Sequence, residues 1–309
     1  MINRKNYLVV LRDYNKQIPD VIKDYVISFN IFTEVISVDD LPKYIGKDNS
    51  LFFIIQVLLP TSFFISESKG NKLIVKSKQI VFINVEMLTE SNRMLQILDI
   101  FKYTDFTVAD YSLENIKFLK EYTKQNNIKY TNKIIYLPYQ FNLKENLIIT
   151  NPENNYEYDV GIVNAVVKKD PSVNPIFNFR RNDFWEKLSQ DSSIKSINIM
   201  GWGDERDKII NKCKVIINVH HFECFRIHES IRCDRLIFAK KIILSEHSIY
   251  ENELDTSNLI HYSDYDNLLE TLSEILKNFN KYDTQIKDYD MFDIINERRK
   301  ILMRSLYQL

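Results

Sequence analysis

Short apolar, β-rich runs alternate with stretches of helical periodicity along the whole chain. In the first half YLVVL (Tyr7 to Leu11), FTEVISV (Phe32 to Val38), LFFIIQVLL from Leu51, IVFINV (Ile80 to Val85), FTVAD (Phe106 to Asp110) and KIIYLPY (Lys133 to Tyr139) read as strands. Between them, Ile18 to Phe29, Ser91 to Phe101 and Ser112 to about Lys124 read as helices, the last with Ser112 placed as N-cap and Glu114 in the first turn. Such alternation predicts βα units and a parallel sheet. After Tyr139 the pattern lapses into a polar, Asn-rich stretch with Pro152, which marks a domain boundary.

The alternation then restarts. YDVGIVNA (Tyr158 to Ala165), SINIMGWG (Ser196 to Gly203), KVIINVHH (Lys214 to His221), KIILSE (Lys241 to Glu246) and LIHYS (Leu259 to Ser263) read as strands. Helices are expected over FRRNDFWEKLSQ, DERDKIINKC, Glu223 to about Lys240, Asp264 to Asn278 and, at the end, Tyr289 to Leu309 with Arg298, Arg299 and Lys300 on its polar side. The expected organisation is two Rossmann-like doubly wound α/β domains, residues 1–145 and 146–285, facing across a cleft, with 286–309 a C-terminal helix able to pack back across the linker. α/β proteins bind ligands at the carboxyl ends of such sheets.

A chain of 309 residues is long enough for two cores, and 45% hydrophobic with 27% charged residues is an ordinary globular composition. Lys plus Arg (41) nearly balances Asp plus Glu (42), so no broad positive field favours nucleic acid or an anionic membrane. The cysteines, Cys213, Cys224 and Cys233, lack the spacing of a disulfide framework, which points to a reducing, cytoplasmic setting. The opening residues reach Arg12 and Asp13 too soon for a signal peptide. The apolar stretch Leu51 to Ile65 is shorter than a membrane span and is broken by Gln56, Pro60, Thr61 and Ser62, so it reads as a buried strand and its exit loop.

The most informative segment is the strand KVIINVHH running into ECFRIHESIRCDRLIFAKK. His220, His221 and Phe222 would sit between a strand's carboxyl end and a helix start, where free N–H groups and the helix dipole favour an anion such as a diphosphate. On a helix from Glu223, Glu229 lines up with Phe225, Arg226 and Cys233, away from the apolar face of Ile227, Ile231 and Phe238. A carboxylate there would accept the two hydroxyls of a ribose, or else pair with Arg226 or Arg232 on a solvated face.

INVHHFECFRIHESIRCDRLIFAKKIILSE resembles the donor-site segment of GT-B glycosyltransferases, through Asn218, His220, Glu223, Arg226, Ile227, Glu229, Ser245 and Glu246. INVEML with Glu86, ADYSLEN with Asp110, YLPYQ, and YDVGIVNA followed by Arg180 and Arg181 resemble further segments of that group in the same order. The sequence departs from it in having only six positions between Glu223 and Glu229, and no glycine from Asn218 to Phe222. The resemblance implies sugar transfer from a nucleotide-sugar donor to a glycan or other hydroxyl acceptor, with no cofactor or metal. The later glutamate, Glu229, would hold the nucleotide ribose.

Sugar transfer needs the diphosphate leaving group stabilised, for which Arg180, Arg181, His220 and Arg226 are the candidates. An inverting enzyme also needs a base, which Glu86 or Asp110 would supply; such a residue is more often a structural cap or loop carboxylate. Asn164 and Trp202 are candidates for the donor pocket, or a turn residue and a loop anchor. Two other readings remain open: a non-catalytic nucleotide- or carbohydrate-binding protein, and a zinc enzyme built on His220, His221 and Glu223. The zinc reading has neither a HExxH spacing nor a CxxC pair behind it.

Overall fold

The computed structural model describes residues 5–10, 25–26, 28–44, 50–55, 80–89, 91–101, 106–163, 180–201, 203–221, 223 and 226–309. The expected helix from Ile18 and the segment after Ile55 lie mostly outside these residues, as do Asn164, Trp202 and Phe222. The chain divides into one unit of Met1–Gln140 with Arg298–Leu309 and a second of Phe141–Glu297.

In the first unit the strands are β1 (Lys5–Val10), β2 (Glu34–Ser37), β3 (Ser50–Ile55), β4 (Ile80–Asn84), β5 (Thr107–Asp110) and β6 (Lys133–Tyr136). They form a sheet in the order β2-β1-β3-β4-β5-β6, and every pairing is parallel. Val9 pairs with Ile36 and Ile54, Ile54 with Phe82, and Phe82 with Val108, so the register lays one apolar row across the sheet. That row is buried with Met94 and Ile97 of α1 (Ser91–Ile100) and Leu119 of α2 (Leu113–Gln125). The alternate residues Leu8, Phe53, Val81 and Ala109 face the other way and are buried too. Helices begin where expected here: Ser112 caps α2, its side chain accepting from the Asn115 amide.

The last helix of the chain, α9 (Phe292–Tyr307), starts slightly later than the periodicity predicts, and its residues from Arg298 onward belong to the first unit. Arg298 is buried rather than on a polar face, donating to the Tyr139 carbonyl, while Arg299 donates to the Phe29 carbonyl and Ser305 to that of Tyr136. These side chains thus donate to backbone carbonyls at and beyond the end of β6 and ahead of β2.

The second unit contains β7 (Tyr158–Val163), β8 (Ser196–Ile199), β9 (Cys213–Asn218), β10 (Ile242–Glu246) and β11 (Ile260–Ser263). The order is β11-β10-β9-β7-β8, again parallel throughout. After β7 the chain steps outward to β8, whereas after β9 it steps the opposite way to β10 and β11. The reversal between β7 and β9 is a topological switch point, where a crevice opens at the carboxyl edge. The equivalent reversal in the first sheet lies between β1 and β3.

Helices α3 (Leu143–Ile149), α4 (Arg180–Gln190), α5 (Gly203–Asn211), α6 (Ser230–Phe238), α7 (Leu268–Lys277) and α8 (Phe279–Asp288) complete this unit. Two of them correct the sequence reading. The polar stretch after Tyr139 contains α3, capped by the Asn142 side chain. Its polarity is inverted, for Leu143 and Leu147 are exposed while Glu145 is buried against Arg235. The expected helix from Glu223 instead begins at Ser230, and Arg226 to Glu229 before it are not helical.

Helix α6 is buried over every residue but Arg232, so its charges have to be paired internally. Arg235 donates to Asp207 at 2.6 Å and Asp207 also accepts from Arg206 at 2.9 Å, which ties α3, α5 and α6 through one ionic network. Gly161 in β7 is there for space. A Cβ at this position would lie 2.6 Å from Ile199 Cδ1 and 2.8 Å from Cys213 Sγ. Gly161→Ala is therefore expected to cost about 1–3 kcal/mol in urea unfolding, and an unchanged midpoint would refute this packing.

Candidate functional site

The carboxyl edge of the second sheet gathers polar groups from both sides of the switch point. Asn218 ends β9, Ser245 and Glu246 end β10, Arg180 and Arg181 open α4 after β7, and Glu229 stands at the N-cap of α6. Asn218 donates to the Ser245 hydroxyl at 3.1 Å and accepts from Arg232 at 3.1 Å. Glu229 takes Arg181 on one carboxylate oxygen at 2.9 Å and Arg232 on the other at 3.0 Å. Arg181 also donates to the Val219 carbonyl at 2.6 Å. Glu246 accepts from the Arg180 guanidinium and, at 2.7 Å, from the backbone N–H of His220. The Arg180 guanidinium lies over the Tyr265 ring, 3.8 Å from its centroid, and the Tyr265 hydroxyl donates to the Arg180 carbonyl.

Burial pushes the Glu229 carboxyl up, but Arg232 and Arg181 outweigh it and hold it below its ordinary value. Arg181, itself desolvated and beside Arg232, is drawn down to about 10. Burial likewise lowers His220 and His221, with Arg181 and Arg180 acting on the first and Arg181 and Arg232 on the second in the same direction. The His220 imidazole is therefore neutral at pH 7. It is 3% exposed, and its Nε2 has no hydrogen-bond partner among the described residues. A buried ring nitrogen without a partner among charged groups is available to a polar atom of a ligand.

The structure brings together Arg180, Arg181, His220 and Glu229 of the sequence-derived candidates. It does not bring in Glu223 or Arg226, which are exposed and lie 3.9 Å apart as a surface pair. Ile227 is buried core. The helix-wheel alignment of Glu229 with Arg226 fails because Glu229 precedes α6, whereas Cys233 does follow it by one turn, its N–H donating to the Glu229 carbonyl at 2.8 Å. Glu229 does pair with Arg232, but in a buried cluster, not on a solvated face. The helix start expected at Glu223 is also displaced, and the N-cap of α6 is Glu229. Arg232 and Tyr265 were not singled out as site residues, since Arg232 reads as a surface residue of an amphipathic helix and Tyr265 lies in a remote turn. Glu246 was legible as the end of a Ser-Glu strand.

In the first unit, Asp110 is buried at the end of β5 and accepts from Asn84 Nδ2 at 2.7 Å, the Ser112 amide at 2.8 Å and Asn115 Nδ2 at 3.1 Å. Asn84 and Asn115 also bond the Glu86 carbonyl, so this network shapes the loop from Asn84 to Leu88. The Glu86 side chain, 35% exposed, lies 3.9 Å from Arg93. Burial outweighs the three donors and raises the Asp110 carboxyl to about 7. Among the described residues no group of three His, Cys, Asp or Glu side chains could hold a metal ion, and Cys213 and Cys233 are free and buried.

Fold and site together define an α/β protein with two parallel, helix-covered sheets and an arginine-carboxylate cluster at the carboxyl edge of the second. No protein-family model matches the chain. It is similar to the uncharacterized protein L140 of Acanthamoeba polyphaga mimivirus, 29% identical over 226 residues that cover 72% of this chain and 67% of that one. Two longer proteins of the same virus are also similar. Identity to the uncharacterized protein L138 is 32% over 67% of this chain and 21% of that protein, and to the uncharacterized protein L137 it is 31% over 70% and 27%. The match thus spans about a fifth of L138 and about a quarter of L137. No described helix is long and apolar enough to cross a membrane.

Two measurements follow from these electrostatics. Glu229→Gln should destabilise the protein by about 3 kcal/mol, because it strands a buried arginine. Since the folded-state value of Glu229 is depressed, its stabilisation is complete above the unfolded value and is lost as pH falls through the folded one. The gap between wild type and variant should accordingly narrow in acid, and a gap independent of pH would contradict the pairing. Asp110 has the opposite sign. Its raised value makes stability decline between about pH 4 and about pH 7, and a protonated carboxyl band at pH 6, absent in Asp110→Asn, should appear in infrared difference spectra.

Proposed function

We propose that this protein is a glycosyltransferase of the GT-B class, with the second unit binding a nucleotide-sugar donor and the first serving a glycan or other hydroxyl acceptor. The observation that carries the reading is the gathering of three arginines and the unpaired Nε2 of His220 at the switch point of a parallel sheet. A doubly wound sheet accommodates a nucleotide at that place, and its diphosphate requires cationic donors.

In this reading Arg181 and Arg232 are preorganised by Glu229, and Arg180 by Glu246 and the Tyr265 ring. Fixed guanidinium groups stabilise negative charge as it builds on the departing diphosphate, at little cost in reorganisation. Glu229, engaged by two arginines, is then first a positioning residue, and contact with the ribose would require one of them to turn toward the donor. Of the two carboxylates suggested as base in the first unit, Glu86 has the solvent access that an acceptor hydroxyl needs, whereas Asp110 is enclosed by its hydrogen bonds.

The test is thermal stability with UDP-, GDP-, ADP- and CMP-sugars, with and without Mg²⁺. A donor at about 100 times its dissociation constant should add about 2.7 kcal/mol. One nucleotide class is expected to raise the Tm of the wild type without metal, and Arg181→Ala should lose most of that response. Slow release of free sugar from the same donor separates a transferase from a protein that only binds. If no nucleotide-sugar shifts the Tm at saturation, the donor reading fails.

A further inference from the structure

The cluster at the carboxyl edge of the second sheet is incompletely balanced in two respects. Among the described residues, three arginines, Arg180, Arg181 and Arg232, face two carboxylates, Glu229 and Glu246, an excess of one positive charge. Within the same cluster the His220 ring is buried and its Nε2 has no partner among the described residues, although its own backbone N–H is held by Glu246. The charged groups acting on that ring are Glu229, Glu246, Arg181 and Arg180. His221, next in sequence and half-buried, responds to Arg181, Glu229 and Arg232.

We propose that this site takes up one proton together with its diphosphate ligand, and that the His220 imidazole is where the proton goes. The proposal rests on the reading of the site as a nucleotide-sugar site. The diphosphate of a nucleotide-sugar carries two negative charges. Placed against one excess positive charge in a largely desolvated setting, it leaves one negative charge uncompensated, which is costly. The arginines are already charged, and Arg232 and Arg181 hold the Glu229 carboxyl below its ordinary value, so these groups add no further cation.

His220 can do so, because one proton converts its ring to a cation with two N–H donors. As the ligand draws Arg181 or Arg232 away from Glu229, the imidazolium replaces the lost positive charge beside that carboxylate. Nε2 then acquires a partner, either a phosphate oxygen or Glu229. No bond other than the one to the proton is made or broken, and the proton comes from solvent.

The sign follows from linkage. Burial disfavours the charged ring in the free protein, whereas the bound anion favours it, so affinity should fall as pH rises between the two values, by up to about tenfold per pH unit. Calorimetric titration of the whole protein near pH 7.5 reads the proton directly, because the heat of proton uptake differs between PIPES and Tris buffers. The probes are UDP-glucose, GDP-mannose, ADP-glucose and inorganic pyrophosphate. The expected result for whichever binds is an uptake of about one proton per site in the wild type. The uptake should be lost in His220→Asn and kept in His221→Asn.

Binding without net proton uptake in the wild type overturns the proposal whether or not the His220 variant folds, and leaves the donor reading intact. Uptake that survives in His220→Asn, or disappears in His221→Asn alone, overturns the assignment to His220. Pyrophosphate binding with His220-dependent uptake, but no binding of any nucleotide-sugar, upholds the proton site and refutes the donor reading. Failure of all four probes to bind refutes both.

Discussion

Parallel strand pairing is the constraint from which the rest of this structure follows. Every described strand in both units pairs in parallel. A parallel sheet needs a crossover between each pair of strands, and those crossovers cover both of its faces. Strands such as Ser50–Ile55 and Ile80–Asn84 are buried at every position, and for that reason Leu51 to Ile55 and Ile80 to Ile83 run as unbroken apolar residues. The same pairing sends every strand's carboxyl end to one edge, so residues far apart in sequence, such as Arg181, Glu229 and Glu246, are delivered to one place.

The two sheets use that edge differently. In the first, Asp110, Asn84 and Asn115 bond to one another and to the loop that follows Asn84, so the polar groups at the ends of β4 and β5 serve the local backbone. In the second, charged side chains face one another across the switch point, with one cation in excess and one imidazole nitrogen unpaired among the described residues. A self-satisfied network argues for structure. A buried cluster with an open valence argues for a ligand, because leaving such a group unpaired has a cost that folding alone does not require.

Buried charge also holds the second unit together away from its site. Glu145, Asp207, Arg206 and Arg235 form one network under α3, α5 and α6. His228 and Asp234 form another pair at 2.9 Å. An apolar replacement of matching shape would pack these helices as tightly, whereas removal of a single partner leaves an unpaired ion. The ionic arrangement thus fixes which helix faces meet, and it puts the start of α6, and with it Glu229, where Arg181 can reach.

Much of this was legible in the sequence. The strand runs, the α/β class and the Ser112 cap depend on local composition and period, which short windows of sequence contain. The segment that carries the site was also legible, since a strand followed by clustered histidines, arginines and glutamates is distinctive wherever the chain goes next. What the sequence could not decide was anything set by distant partners. The exposure of Leu143 and Leu147 with Glu145 inside depends on Arg235, and the start of α6 at Ser230 instead of Glu223 depends on Glu229 being claimed by Arg181 and Arg232. Helical periodicity records which residues are apolar. Only the tertiary structure decides which carboxylate meets which guanidinium, because that pairing is an interaction between segments whose separation in sequence says nothing of their distance in space.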